Sequence, residues 1–236
     1  MKKQTYLNMF IDDCKYYDIE NIETKTILKN VNLKGKTILD IGAGIGRLSF
    51  LLARYAKEVV ALDKDKRFKG YFIKHKKKNV KFINQSAEKF LRTNKKFDII
   101  LLAWPTFSYK LINLIKNSMH ENSLFIFITC DNNSDYEKII DKLDNQDFSK
   151  DIQNKKRFIS LLPKKFKVIL KEKINTKYTY PNKTIAFKVI KNSMKLWFNT
   201  KFDKEKENKL KNIISKHKQN RKIIFGEKIF FYILKK

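Results

Sequence analysis

Residues 36–65 read KTILDIGAGIGRLSFLLARYAKEVVALDKD, and this stretch decides the fold. A short apolar run ends at Asp40 and enters a loop carrying Gly42, Gly44 and Gly46, with Ala43 between the first two. Glycine at alternate positions permits positive φ and lets a backbone approach a ligand with no Cβ between them. An amphipathic segment follows, then a second apolar run ending at Asp63, 23 residues beyond Asp40. This is the strand–loop–helix–strand rhythm of a βαβ unit, and the rhythm continues outward. Strands are expected at 37–41, 59–63, 80–84, 97–102 and 123–129. Helices are expected between them at 47–55, 66–75, 87–92 and 109–119, the last capped by Ser108. Each strand is short and almost wholly apolar, as in a parallel sheet covered on both faces.

Beyond Thr129 the rhythm changes. Tyr136, Ile139, Ile140 and Leu143 share a stripe, so 134–143 reads as a helix with Ser134 as its cap. A polar stretch, 144–156, precedes a strand at 166–170. Residues 183–198 fit helix or strand. A helix over 203–218 has Leu210, Ile213 and Ile214 as its narrow apolar face, and a last strand lies at 228–234 with Gly226 at the turn before it.

Composition narrows the class. With 236 residues and 42% hydrophobic content, the chain can bury the core of one large α/β domain. No apolar run reaches membrane-spanning length, so no membrane association is expected. The N-terminus lacks the apolar core of a signal peptide, and the cytoplasm is the expected compartment. Cys14 and Cys130 stand far apart without histidine clusters, which excludes a disulfide framework and a zinc site. The net charge is +29, and residues 154–236 hold 25 basic against 5 acidic residues. A polyanionic partner explains this surplus through long-range attraction. Compositional bias explains it too, since only 6 of the 53 cations are arginine, the residue best suited to bidentate phosphate contacts. Both explanations stand at this level.

The glycine loop suits a nucleoside ligand. Asp63 ends the second strand, where a carboxylate accepts from both ribose hydroxyls. A dinucleotide fingerprint requires a small residue at its third position, where this chain has Arg47. Asp40 would also face a pyrophosphate unfavourably, whereas it suits an ammonium group. S-adenosylmethionine (SAM) carries an ammonium, a carboxylate, a sulfonium, a ribose and an adenine, with no phosphate.

Residues 36–130 resemble the core of the class I SAM-dependent methyltransferases, over about 40% of the chain. The family's first motif, acidic-x-G-x-G-x-G, is matched by Asp40, Gly42, Gly44 and Gly46, and its ribose-binding acid by Asp63. Its adenine-contacting segment is matched by Gln85, Ser86, Ala87 and Glu88, with serine where aspartate is frequent. Its fourth-strand motif is matched by 97–105, ending in Ala103, Trp104 and Pro105. Amino-methyltransferases of nucleobases carry Asp or Asn followed by Pro-Pro and an aromatic there, so this chain departs from that chemistry. The resemblance implies a Rossmann-like, mostly parallel seven-strand sheet with helices on both faces and an antiparallel last strand. One domain over 1–236 is expected, with a cofactor-binding core at 30–130, acceptor-side insertions at 131–222, the last strand at 223–236 and a basic C-terminal cap region. The implied cofactor is SAM, held by Asp40, Gly42, Ala43, Gly44, Gly46, Asp63, Ser86, Ala87, Glu88 and Ala103.

Methyl transfer asks mainly for alignment and exclusion of water. No general base is evident, because His75, His120 and His217 all fall in polar surroundings and read as surface residues. No residue is therefore assigned as catalytic, and no metal ligands are expected. Trp104, Pro105, Phe107 and Tyr109 follow the fourth strand and wall an acceptor pocket or pack the next helix. Tyr17, beside Tyr16, covers the cofactor or packs on the sheet, and Asp131 is a candidate acceptor contact. With no separate RNA-binding module in view, a small molecule or peptide acceptor is expected. The rivals are RNA gripped by the basic C-terminal third and, from another class, a SAM-binding module without catalysis.

Overall fold

A computed structural model describes residues 6–105, 110–131, 134–143 and 149–236. In chain order its elements are α1 (Tyr6–Tyr16), α2 (Ile22–Asn30), β1 (Thr37–Ile41), α3 (Arg47–Leu52), β2 (Glu58–Asp63) and a 3₁₀ turn (Lys66–Phe68) leading into α4 (Lys69–Lys74). There follow β3 (Val80–Asn84), α5 (Ala87–Leu91), β4 (Phe97–Ala103), α6 (Leu111–Asn117), β5 (Met119–Cys130), α7 (Asp135–Leu143) and α8 (Ser149–Lys165). The last are β6 (Lys167–Tyr180), α9 (Lys183–Phe198), α10 (Lys204–Lys216), β7 (Lys218–Gln219) and β8 (Lys222–Lys235).

These elements group into two compact units. The sheet unit comprises Thr24–Thr129, Phe148–Lys173 and Phe230–Lys236, and the helical unit comprises Met1–Glu23, Cys130–Asp147 and Ile174–Ile229.

In the sheet unit the strands lie in the order β3-β2-β1-β4-β5-β8-β6. β1 pairs in parallel with β2 and with β4, β2 with β3, and β4 with β5. The edge pair runs antiparallel, for Lys171 lies over the Tyr232 ring and Lys173 over Phe230. The Lys236 amide reaches the Ser123 carbonyl near the start of β5, so the end of β8 meets the beginning of that strand. The central strands are buried on both faces: Ile38 and Leu39 in β1, and Ile100 and Leu101 in β4, are all fully covered. On one face Phe158 and Leu162 of α8, with Phe166 directly after it, pack onto Phe125, Phe127 and Tyr232, with Phe127 and Phe158 ring centroids 5.0 Å apart. Burying each such side chain contributes about 1.5–3 kcal/mol.

In the helical unit α9 packs against α1 and α10, and α10 against α7. Ser134 and Glu137 form a reciprocal capping box at the start of α7, the Glu137 amide reaching Ser134 Oγ at 3.0 Å and the Ser134 amide reaching Glu137 Oε2 at 3.2 Å. Asp13 of α1 is buried and accepts from Ser193 Oγ at 2.6 Å and Trp197 Nε1 at 3.3 Å, both on α9.

Several expectations change. The described residues form an eight-strand sheet and not seven: β7 adds two residues antiparallel to the start of β8. Asn220 and Arg221 turn between them with φ of 44° and 69°, a hairpin too short to leave a periodic signal. Gly226 lies inside β8 and not at a turn; its amide donates to Asp135 Oδ2 at 3.0 Å. The polar stretch 144–156 runs into α8, and the ambiguous 183–198 is α9, capped by Asn182. The basic residues 154–236, expected as a cap region, divide between both units. By unit the charge is lopsided: the sheet unit has 33 basic and 9 acidic residues, the helical unit 20 and 15.

Candidate functional site

The parallel strands β3, β2, β1 and β4 bring their carboxyl ends into a row. Asp63 is paired with Asn84, Asp40 with Ala61 and Leu101, and Ile41 with Leu102. The order reverses at β1, whose neighbours β2 and β4 lead the chain in opposite directions. Such a reversal opens a crevice beyond the carboxyl ends of the strands.

The glycine loop occupies that crevice. Gly42, Gly44 and Gly46 have φ of 74°, 56° and 79°, so every second residue takes the left-handed conformation that side chains resist. The loop is pinned from below, the amides of Gly42 and Ala43 both donating to the Leu62 carbonyl at 2.8 and 3.1 Å. A Cβ added at Gly42 would meet nothing within 4 Å, so the space above the loop is open there. At Gly46 the same atom would lie 2.6 Å from Phe72 Cζ and 2.9 Å from Phe50 Cε2. Thus Gly42 faces room, whereas Gly46 serves the close packing of α3 on α4.

Two carboxylates flank the loop. Asp63 accepts the Gly44 amide on Oδ2 at 2.9 Å and the Asp65 amide on Oδ1 at 2.9 Å. A carboxylate offers about four acceptor sites, so its orientation is fixed while capacity remains for two more donors. Asp40 is buried, and Ser49 Oγ donates to its Oδ2 at 2.5 Å. Burial pushes the Asp40 carboxyl up to about 6; the Ser49 hydrogen bond and nearby Arg47 oppose that rise, and the Asp63 charge adds to it. Ser49, fully buried on α3, escaped the sequence reading, which looked for the acid and not for the hydroxyl that orients it.

The remaining residues fall into three groups. Ser86 accepts the Lys89 amide as the cap of α5, Ala87 and Glu88 form its first turn, and the Gln85 amide reaches the Asp63 carbonyl at 3.0 Å, which brings this segment beside Asp63. Ala103 ends β4; Trp104 follows at φ 54°, its amide bonded to the Ile128 carbonyl at 2.9 Å, and Pro105 comes next. A tryptophan in the left-handed region is uncommon, and such strain concentrates at functional positions. Phe107 and Tyr109, with Ser108, lie outside the described residues. Tyr17 and Asp131 belong to the helical unit. Of the two roles open to it, Tyr17 has the features of a packed residue: it is buried, and its hydroxyl donates to Glu23 Oε1 at 2.7 Å and lies 3.0 Å from Thr176 Oγ1. Asp131 is half-buried, its amide donating to the Lys228 carbonyl at 2.8 Å.

Of the histidines, His75 stacks on Tyr71 at 4.2 Å, and His120 is exposed at the start of β5. His217 is half-buried, stacked on Phe225 at 4.3 Å with Nδ1 2.9 Å from the Ile213 carbonyl, so it closes α10 and is not the solvated residue expected. Among the described residues no group of His, Cys, Asp and Glu has the arrangement of a metal site, and no helix is long and apolar enough to cross a membrane.

Known proteins share this fold. A putative methyltransferase from Bacillus halodurans superposes with a TM-score of 0.60 at 13% identity, over 92% of this chain and 98% of its own. The N-methyltransferase NodS from Bradyrhizobium japonicum, solved with S-adenosyl-L-homocysteine, superposes with a TM-score of 0.51 at 12% identity, over 99% of this chain and 98% of its own. In sequence, a probable ribosomal RNA small subunit methyltransferase A from Methanosphaera stadtmanae is 38% identical over 78 residues, 31% of this chain and 29% of that relative. The chain thus matches less than a third of that relative's length. The model of the methyltransferase domain matches residues 32–224, more than half of the sequence, and the chain belongs to the methyltransferase-domain family.

Proposed function

We propose that the sheet unit binds SAM between Asp40, the glycine loop and Asp63, and transfers its methyl group to RNA. The observation that carries the cofactor half is the Asp63 carboxylate, locked by the Gly44 and Asp65 amides beside a loop with open space above Gly42. The donor set fits this cofactor. Asp63 keeps acceptor capacity for two ribose hydroxyls, and Asp40 supplies an anion toward an ammonium group. Asp40, directly before the loop, would face a pyrophosphate unfavourably. When bound, SAM supplies a methyl group on a positively charged sulfur, an electrophile that needs no further activation.

The chain's own residues then have positional roles. Asp63 and the 85–88 segment orient the nucleoside. Ser49 holds the Asp40 carboxylate through its hydroxyl. Ala103, Trp104 and Pro105, at the end of β4, border the space where an acceptor would come to the methyl group. Alignment of this kind accounts for much of the barrier reduction in bimolecular transfers.

RNA displaces the smaller acceptors expected from sequence because two observations favour it. The Methanosphaera relative is named for ribosomal RNA. The charge surplus also belongs chiefly to the sheet unit, which carries the glycine loop, so no separate module is needed to attract phosphates.

Calorimetry with S-adenosyl-L-homocysteine, SAM's demethylated product, tests the cofactor. Binding is expected, with no comparable affinity for NAD. Asp63→Ala removes charge-assisted hydrogen bonds worth about 1.5–3 kcal/mol, a loss of roughly 10- to 150-fold. Tight NAD binding without binding of the product would refute the assignment.

A further inference from the structure

The sheet unit's positive charge is unevenly committed. At the amino ends of β4 and β5, lysines are engaged with the chain itself. Lys236 Nζ donates to the Met119 carbonyl at 3.1 Å and pairs with Glu121 at 2.9 Å. Lys116 Nζ donates to the Lys165 carbonyl at 2.8 Å, and Lys96 Nζ to the Asn117 carbonyl. These groups stand at the opposite end of the strands from Asp63.

The segment directly after Asp63 is different. Residues 64–81 hold nine cations and one carboxylate, Asp65, which Arg67 occupies with a bidentate contact. Phe68 and Phe72 turn inward and are buried, which directs the rest of the 3₁₀ turn and α4 toward solvent. Lys66, Lys69, Lys74, Lys76, Lys78 and Lys81 are all exposed. Lys77 is the exception, its Nζ donating to the Phe50 carbonyl at 2.9 Å. Among these lysines lie the stacked Tyr71–His75 pair and Ile73, which at 67% is the most exposed of the large hydrophobic side chains among the described residues. Cations interleaved with a ring pair and an apolar side chain suit a strand of nucleotides, whose phosphates meet the lysines and whose bases meet the rings. An acidic peptide would use the charge but not the rings. The segment starts beside the crevice at Lys64 and Lys66, and the chain then runs back along the sheet through α4 to Lys81, which is in register with Val60 near the amino end of β2. A strand of RNA lying along it therefore reaches the crevice at its Lys66 end.

We propose that the exposed face of residues 66–81, on α4 and the β3 edge, is where this unit holds the phosphate backbone of its RNA. The assignment rests on the RNA reading given above. It locates the grip outside the C-terminal third, where the linear charge count points.

Two triple reversals of equal net charge test it, one at Lys66, Lys69 and Lys74 and one at Lys164, Lys165 and Lys167, each to Glu. Fluorescence anisotropy with a labelled 20-nucleotide single-stranded oligouridylate, at three salt concentrations, reads affinity and its salt slope. Each phosphate contact contributes a slope of about −0.7 on single strands, so losing three should flatten the plot by roughly 2 and weaken binding at least about tenfold at low salt. The α4 triple should show this loss, and the α8–β6 triple a clearly smaller one. Equal losses would mean that net charge alone attracts the RNA, and they would overturn the assignment, as would no loss in either. Calorimetry with S-adenosyl-L-homocysteine on the same proteins separates the two readings. Its failure in the unmodified protein would sink the cofactor site while leaving the RNA comparison intact. Should the α4 triple lose the product as well, the neutral triple Lys66→Gln, Lys69→Gln, Lys74→Gln replaces it, with the same flattening expected.

Discussion

Gly42 and Gly46 share a left-handed backbone but differ in what surrounds them, so one substitution at each separates ligand binding from packing. Alanine at a φ of 74° or 79° costs about 1–2 kcal/mol through the clash of Cβ with the backbone. At Gly42 that is the whole penalty to folding, because an added Cβ has no neighbour within 4 Å. In a chain of 236 residues it amounts to a fall in Tm of roughly 2–8 °C. At Gly46 the Cβ would sit 2.6 Å from Phe72 Cζ and 2.9 Å from Phe50 Cε2, inside aromatic contacts whose ring centroids are 5.0 Å apart. Overpacking of this kind adds about 1–3 kcal/mol, for a total near 2–5 kcal/mol. Binding should rank the two oppositely. The Gly42 methyl enters the space assigned to the cofactor and should weaken S-adenosyl-L-homocysteine by tenfold or more. Gly46→Ala should bind within a few-fold of the unmodified protein wherever it remains folded. Urea denaturation and calorimetry on both variants supply the four numbers. Unaltered affinity in Gly42→Ala would show that the open space is not the ligand's. A Gly46→Ala protein as stable as Gly42→Ala would show that α3 and α4 yield where the geometry says they cannot.

Asp40, pushed up to about 6 by burial, gives binding a pH dependence. The ionised form is the one that accepts from an ammonium, so affinity for S-adenosyl-L-homocysteine should fall about tenfold per unit below pH 6 and level off above it. The native state binds this proton more tightly than the unfolded chain does. Asp40 therefore favours the unliganded fold most at acid pH, and stability is lost as pH rises from about 4 through 6. Asp40→Asn should abolish the pH dependence of binding, and its survival in that variant would assign the effect to another group. In the helical unit Ser193→Ala leaves the buried Asp13 carboxylate with one donor fewer, since Ser193 Oγ lies 2.6 Å away. A loss of about 1–3 kcal/mol in urea denaturation is expected, and none at all would mean that water reaches Asp13 and replaces the hydroxyl.

What could be read from the sequence follows how locally each element is specified. β1 and β3 fall at 37–41 and 80–84 as expected, because short apolar runs between Gly, Asp and Asn leave few alternative limits. Asp40, the glycines and Asp63 were legible because chemistry fixes their spacing along consecutive elements. Elements specified by distant partners were not. β6 was expected only at 166–170, but it runs from Lys167 to Tyr180: its lysines alternate along an edge strand, facing solvent and the rings of Tyr232 and Phe230, and so hide its period of two. α8 begins in a polar stretch and contains Pro163, yet it is held by Phe158 and Leu162 against the sheet. Tyr17 looked available because its partner Thr176 lies 159 residues away.

The charge makes the same point with a functional consequence. Counted along the chain, the surplus lies in the C-terminal third. Folding divides that third, however, giving residues 174–229 to the helical unit, where the acids of α7 and the N-terminal segment reduce the net charge to +5, while the sheet unit keeps +24. An electrostatic field acts through space, and a screening length near 8–10 Å under ordinary salt makes each surface answer to its own neighbourhood. A polyanion approaching this protein therefore meets its strongest attraction on the unit that carries Asp40 and Asp63. Compositional bias toward lysine would spread cations over both units alike. It does not explain why the acids are gathered on the unit without the glycine loop, nor why 64–81, which begins next to Asp63, has a single carboxylate among its nine cations.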